Sequence, residues 1–190
     1  MMLGVALSIL VSVSASPTYA AFAVGDEAPN MCWNDASSQN TCLHDSTKNI
    51  RVLFYLNGHC PSCESLLNGL TARVSALKPN PPVDFLALYT EGSTEGAAPD
   101  ASFLAGAAKA LKAPAKGKLF LLASPDDAGS AFYELPDVPK VPDVIVLDTD
   151  ETIASISDSP TIDNVIAQIK ALETSDATSG SGTAITSFSR

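Results

Sequence analysis

Apolar residues along this 190-residue chain follow two alternating patterns, which together predict an α/β fold. Nearly continuous apolar runs with the length of buried strands occur at residues 52–56, 83–89, 118–123 and 143–148. Longer segments with apolar residues at helical spacing occur at residues 66–77, 101–112 and 160–172. The run at 83–89 is apolar enough to predict a central strand that is covered on both faces.

Turn-forming and capping residues between these segments predict where the elements end. Residues 124–129 predict a turn and a helix start, and Thr149 and Asp150 predict a turn between the strand at 143–148 and a partner strand at 152–157. Ser159 is the predicted N-cap of the last helix, with Pro160 at its first position. Residues 174–190 are rich in Ser, Thr, Gly and Ala and predict a disordered tail.

Cys60 and Cys63 lie where the first buried strand passes into a helix. The first turn of a helix presents unpaired N–H groups and the positive end of its dipole, which favour a thiolate at Cys60. Pro61 suits the first turn because its missing N–H would have had no partner there. The pattern favours a redox-active pair in which Cys60 attacks and Cys63 resolves. A structural disulfide and half of a zinc site are the alternatives.

Three segments resemble the thioredoxin superfamily, in the secreted branch of TlpA-like and ResA-like thiol-disulfide oxidoreductases. They are residues 24–29 (VGDEAP), 58–63 (GHCPSC) and 141–148 (VPDVIVLD). The resemblance implies a thioredoxin-like fold, with a central mixed sheet flanked by helices and an N-terminal β-hairpin extension. It also implies that Pro142 is a cis-proline facing the disulfide and that the backbone of Val141 pairs with a substrate. His59 and Pro61, on either side of Cys60, complete the candidate substrate-binding residues.

Two positions depart from the thioredoxin pattern. Thioredoxins usually place a buried acidic residue six positions before the first cysteine, where this chain has Phe54. Glu64 directly follows Cys63, but we expect it to be solvated on the helix surface. His59 replaces the usual Trp before Cys60, and it either helps to stabilise the Cys60 thiolate or is a polar residue at the rim of the site.

A second cysteine pair flanks a polar loop. Cys32 and Cys42 lie in two short segments on either side of residues 35–40, which predicts a hairpin with the two cysteines opposite each other. We expect a structural disulfide between them. A relay that exchanges electrons with Cys60 and Cys63 is the alternative, but no positive field lies near Cys32 or Cys42 in sequence. A four-cysteine zinc site fits poorly, since this pair lacks the short ligand spacing.

The N-terminal segment, residues 1–23, predicts a secretory signal peptide. A mostly apolar stretch at residues 3–15 is followed by small residues that allow cleavage after Ala20 or Ala23. A membrane anchor is the alternative, but the stretch breaks at Ser16 and Pro17, short of the roughly 20 residues a spanning helix needs. The predicted organisation is a signal peptide at 1–23, a thioredoxin-like domain at 24–173 and a tail at 174–190, in a periplasmic or secreted protein.

Charge limits the class of partner. The formal net charge of −10 argues against nucleic acid or an anionic membrane surface as the main partner. We expect protein thiols and disulfides as partners, together with an upstream thiol reductant, and no stable membrane insertion of the mature chain. The sequence predicts no cofactor and no metal ion.

The sequence therefore predicts an extracytoplasmic thiol-disulfide oxidoreductase that reduces protein disulfides. A peroxiredoxin is one alternative, because the VGDEAP segment also resembles that family, but residues 53–59 contain neither the Pro nor the Thr that peroxiredoxins place before their reactive cysteine. A copper-handling protein is the other, since Cys60, Cys63 and His59 are plausible ligands for Cu(I).

Overall fold

The computed structural model describes residues 22–34, 40–44, 48–122 and 141–179. The predicted turn at 124–129 and residues 180–190 of the predicted tail lie outside the described residues, as does the predicted signal peptide up to residue 21. Among the described residues, no helix has both the length and the apolar character that crossing a bilayer requires.

A short antiparallel hairpin precedes the main sheet. Its strands are β1 (Cys32–Asn34) and β2 (Asn40–Cys42), and their register places Cys32 opposite Cys42. The sequence predicted both the hairpin and this pairing.

The described part of the main sheet has five strands in the order β5-β4-β3-β6-β7. They are β3 (Ile50–Asn57), β4 (Val83–Glu91), β5 (Leu119–Leu122), β6 (Asp143–Leu147) and β7 (Ile153–Ser157). β3, β4 and β5 are parallel, whereas β6 is antiparallel to both β3 and β7. The predicted mixed sheet is therefore confirmed. β3 lies at its centre, and residues 50–56 are buried on both faces of the sheet.

Within the described ranges, three helices pack on one face of this sheet. They are α1 (Pro61–Leu77), α2 (Ala101–Ala110) and α3 (Ile162–Ser179). Apolar side chains of α1 and α3 meet alternate residues of β3 and β4 in one core, whose largest members include Phe54, Leu67, Leu70, Phe85 and Tyr89. α2 contributes Ala107 and partly buried Phe103, whereas Ala108 of the same helix is exposed.

The last helix differs from its predicted bounds. It begins at Ile162 instead of Pro160, and the hydroxyl of Thr161, not Ser159, accepts the Asn164 N–H at 3.2 Å. Pro160 is buried ahead of the helix. At the other end the helix continues through residues 174–179, which the sequence assigned to the tail, because no Gly or Pro interrupts it before Gly180.

Residues 28–31 and the hairpin with the adjoining Leu43 cover the opposite face of the sheet. Ala28, Met31, Trp33 and Leu43 pack there against the other set of alternating strand residues. Trp33 meets the ring of Phe120 edge-to-face, with centroids 5.2 Å apart. The hairpin extension is thus part of the core of the protein.

Candidate active site

The Cys60–Cys63 turn is positioned by the end of β3 and the start of α1. β3 ends at Asn57, and Cys60 is the N-cap of α1. The Cys60 sulfur accepts the Cys63 N–H at 3.3 Å, and the two cysteines form a disulfide. Pro61 occupies the first turn, as the sequence predicted. The helix thus directs an N–H donor and the positive end of its dipole at the Cys60 sulfur, which favours a thiolate there when the disulfide opens.

The two sulfurs differ in their access to solvent. Cys63 is completely buried, whereas Cys60 is partly exposed and its neighbours Pro61 and Ser62 are exposed. The Ser62 hydroxyl lies 3.4 Å from the Cys60 sulfur and donates to it in the disulfide form. Only Cys60 is open to an external disulfide, and Cys63 is placed to react with Cys60.

The end of β4 supports the loop that leads to Cys60. The Gly58 N–H donates to the Glu91 carbonyl at 2.9 Å, and the Thr90 hydroxyl donates to the Leu56 carbonyl at 3.3 Å.

A Cβ atom at Gly58 would collide with the Phe103 ring and would lie 2.6 Å from the Gly92 carbonyl oxygen. Glycine is therefore required here by close packing.

His59 contacts a carboxylate that the sequence did not associate with it. Its Nε2 lies 3.3 Å from a carboxylate oxygen of Glu91, and both side chains are one-third exposed. His59 lies at the rim of the site, next to Cys60, with its charge balanced by Glu91 when the imidazole is protonated.

The Val141–Pro142 peptide bond is cis and lies at the same end of the sheet as the disulfide. β6 begins directly after it, and Asp143 pairs with Tyr55 on antiparallel β3. The chain at Val141 is therefore beside the residues that lead to Cys60. Val141 packs against the same core cluster as Cys60.

The core behind the cysteines contains the phenyl ring of Phe54 where thioredoxins usually have an acidic residue, and the phenol of Tyr89 lies on the neighbouring strand. Phe54 is completely buried, so its position supplies no proton acceptor. Tyr89 is also completely buried, and its hydroxyl has no hydrogen-bond partner among the described residues. Burial and the charge of Glu64 raise the pKa of Tyr89 well above its ordinary value, so the phenol stays protonated.

The second cysteine pair lies away from this site. Cys32 and Cys42 form a disulfide across the hairpin, which covers the opposite face of the sheet from α1. The structure therefore brings together Cys60, Cys63, His59, Pro61 and the Val141–Pro142 bond, and leaves the Cys32–Cys42 pair apart. The described residues contain no cluster of three or more His, Cys, Asp or Glu side chains that would suit a metal ion.

Sequence reasoning missed three residues of the site: Ser62, Tyr89 and Glu91. The register that pairs Leu56 with Tyr89 and Asn57 with Glu91 brings the last two to the cysteines across a parallel strand pair. Local spacing carries no signal for such a pairing. The position of Ser62 between the cysteines was the available signal for its contact with Cys60.

No protein-family model and no curated protein sequence matches the chain. Solved structures do match its fold. One is the thioredoxin domain of a thiol-disulfide oxidoreductase from Bacteroides vulgatus, with a TM-score of 0.60 and 16% identity over 80% of this chain and 98% of that one. Another is a putative thiol:disulfide interchange protein DsbE from Chlorobium tepidum, with a TM-score of 0.59 and 14% identity over 80% and 99%.

A third is a secreted disulfide oxidoreductase from Mycobacterium tuberculosis, described as homologous to DsbE of E. coli. It has a TM-score of 0.50 and 17% identity over 74% of this chain and 95% of that one. The chain has the thioredoxin-like fold that the sequence predicted.

Proposed function

We propose that this protein is an extracytoplasmic thiol-disulfide oxidoreductase that reduces disulfides in other proteins. One observation carries the proposal: a disulfide at the N-terminus of a helix, with one sulfur partly exposed and the other completely buried. A purely structural disulfide gains nothing from this asymmetry, whereas a redox couple needs one accessible nucleophile and one shielded resolving thiol.

The reaction proceeds in two exchanges. The Cys60 thiolate attacks one sulfur of the substrate disulfide, and the other substrate sulfur leaves as a thiolate that takes a proton from water. The Cys63 thiolate then attacks the Cys60 sulfur, which breaks the mixed disulfide and releases the second substrate thiol. The substrate gains two electrons and two protons, and a dithiol reductant restores Cys60 and Cys63 by the reverse exchange.

The residues around the cysteines hold the substrate chain. The backbone of Val141, held beside the cysteines by Pro142, pairs with an extended segment of the substrate, while His59 and Pro61 form the rim. The Cys32–Cys42 disulfide is structural in this proposal. The predicted signal peptide and the secreted relative from Mycobacterium tuberculosis support a location outside the cytoplasm, where this disulfide would persist.

The equilibrium reduction potential of the Cys60–Cys63 couple tests the proposal. A value near that of thioredoxin, about −270 mV, is expected of a reductant, and a value near −120 mV, as in DsbA, would make the protein an oxidant. Cys60→Ser should abolish the reduction of a protein disulfide, whereas Cys63→Ser should trap the mixed disulfide. A couple that does not cycle with any thiol would overturn the proposal.

A further inference from the structure

A groove of about 470 Å³ lies between α2 and residues 92–100, and Glu64 of α1, the residue after Cys63, also lines it. Phe103 and Ala107 are among the α2 residues of the lining, and the Phe103 ring packs against Gly58 in the loop that leads to Cys60. Asn68 of α1 holds the end of α2, because its side chain donates to the Ala110 carbonyl at 3.3 Å and accepts the Lys112 N–H at 3.1 Å. The two helices are therefore held together beside the groove.

The residues that line the groove combine small side chains with two acidic ones. Six of these eleven residues are glycine or alanine, which leaves room for a long side chain of another molecule. Glu64 and Asp100 supply two carboxylates, and no Lys, Arg or His lines the groove. Glu64 has no ion-pair partner within the part of the chain that the structure describes. Asp100 caps α2, and one of its carboxylate oxygens accepts the Phe103 N–H at 2.7 Å.

An aromatic ring adds a second feature that suits a cation. Phe103 lines the groove and is fixed by an edge-to-face contact with Tyr89, with ring centroids 4.9 Å apart. A lysine or arginine can lay its aliphatic stem along alanine and phenylalanine while its charged end meets carboxylates or the face of the ring. A lining of small residues, two carboxylates and an aromatic ring together suit a basic side chain.

We propose that this groove, which we call the acidic groove, binds a lysine or arginine of the substrate protein close to the disulfide under attack. The proposal rests on the proposed function and makes it more specific: the substrates are protein disulfides with a basic residue nearby. Charge complementarity carries the argument, since the groove has no cation of its own and two of its lining residues adjoin the active turn: Glu64 follows Cys63, and Phe103 packs against Gly58.

Three disulfide peptides that differ at one position test this preference. The residue beside the reactive cysteine is arginine in the first, norleucine in the second and glutamate in the third. The full chain, with Cys60 and Cys63 reduced, should reduce the arginine peptide with a kcat/KM about fivefold higher than the norleucine peptide, and the glutamate peptide more slowly. Added salt should shrink these ratios, because the groove is open to solvent.

Two variants assign the preference to the acidic groove. Glu64→Gln should lower the ratio of arginine to norleucine by removing a carboxylate. Gly106→Leu should also lower it by filling the groove, and this change should not disturb the fold, because a Cβ at Gly106 meets no atom within 4 Å. Ala105→Leu is the matched control, since Ala105 is exposed on the same helix but does not line the groove.

The outcomes separate this proposal from the function on which it rests. If the protein reduces none of the three peptides, the proposed function fails. If it reduces all three at equal rates, the function stands and the acidic groove proposal is overturned. A preference for arginine that survives both Glu64→Gln and Gly106→Leu would also overturn it, because the preference would then arise elsewhere.

Discussion

The imidazole of His59 lies 3.3 Å from a carboxylate oxygen of Glu91, which joins the residue before Cys60 to the end of β4. Both side chains are one-third exposed, so the direct contribution of this contact to the free energy of unfolding is about 1 kcal/mol or less. We expect its larger effect to be on position, because Glu91 holds the imidazole beside the loop that carries Cys60. There an imidazolium would favour the thiolate.

We therefore expect the effects of His59 and Glu91 on catalysis to be coupled. His59→Gln should slow the attack of reduced Cys60 on a small disulfide by about two- to fivefold, because glutamine cannot supply the positive charge that an imidazolium would place near the thiolate. Glu91→Gln should slow it less, and the double variant should be no slower than His59→Gln alone. A double-mutant cycle on the second-order rate constant measures the coupling. Additive effects, or none at all, would make His59 a simple rim residue.

Tyr89 carries a hydroxyl that is buried without a hydrogen-bond partner among the described residues. Burying such a hydroxyl costs desolvation free energy that no hydrogen bond offsets. We therefore expect Tyr89→Phe to leave the free energy of unfolding unchanged or to raise it by about 1 kcal/mol. The ring contact with Phe103 would remain. Denaturant unfolding measures the change, with Phe103→Leu as the control that weakens the same contact. A marked loss of stability in Tyr89→Phe would show that the hydroxyl has a partner, such as a bound water.

The strand and the helix at the active turn could be predicted because their cause is local. The apolar run of β3 and the helical spacing after Cys63 each determine their own element, and the two cysteines mark the junction. The start of α3 was missed although Ser159 and Pro160 are strong local signals. Pro160 is buried, the helix begins after it at Ile162, and the Thr161 hydroxyl supplies the cap.

The surroundings of the cysteines were less predictable than the cysteines themselves. Tyr89 and Glu91 reach the site only because β3 and β4 pair in parallel with Leu56 opposite Tyr89. A one-residue shift of that register would move the side chains of a strand to the opposite face of the sheet. Nothing in the sequence of either strand determines the register. The prediction that Glu64 is solvated on the helix surface was also incomplete. Glu64 lines a groove together with residues of α2, and its own sequence neighbours carry no signal for that contact.

The Cys32–Cys42 disulfide should contribute stability and leave the redox chemistry unchanged. It closes a loop of about ten residues, for which the chain-entropy model gives about 3 kcal/mol. Replacing both cysteines by serine should lower the free energy of unfolding by roughly that amount. The reduction potential of the Cys60–Cys63 couple should not change, because the hairpin covers the opposite face of the sheet from α1. A shift of that potential in the double variant would instead support an electron relay between the two pairs.

A buried ion pair fixes the hairpin to the rest of the fold. The Arg51 guanidinium donates to the Leu43 carbonyl and lies 2.5 Å from a carboxylate oxygen of Glu151, in the turn between β6 and β7. Burial raises the pKa of Glu151 from 4.5 to about 7, although the charges of Arg51 and His44 act in the opposite direction. The other carboxylate oxygen of Glu151 has no hydrogen-bond partner among the described residues, which agrees with incomplete compensation.

The raised pKa of Glu151 makes stability depend on pH in a predictable direction. Below pH 4.5 the carboxyl group is protonated in both the folded and the unfolded chain, so its contribution is fully present. As the pH rises towards 7 the unfolded chain ionises first, and the folded state loses about 3 kcal/mol relative to it. Glu151→Gln stays neutral, so its stability relative to the wild type should increase across this window, as measured by urea unfolding at several pH values. Asp150→Asn, exposed in the same turn, should follow the wild-type profile. If Glu151→Gln also follows it, the carboxylate is fully stabilised by Arg51 and its pKa is not raised.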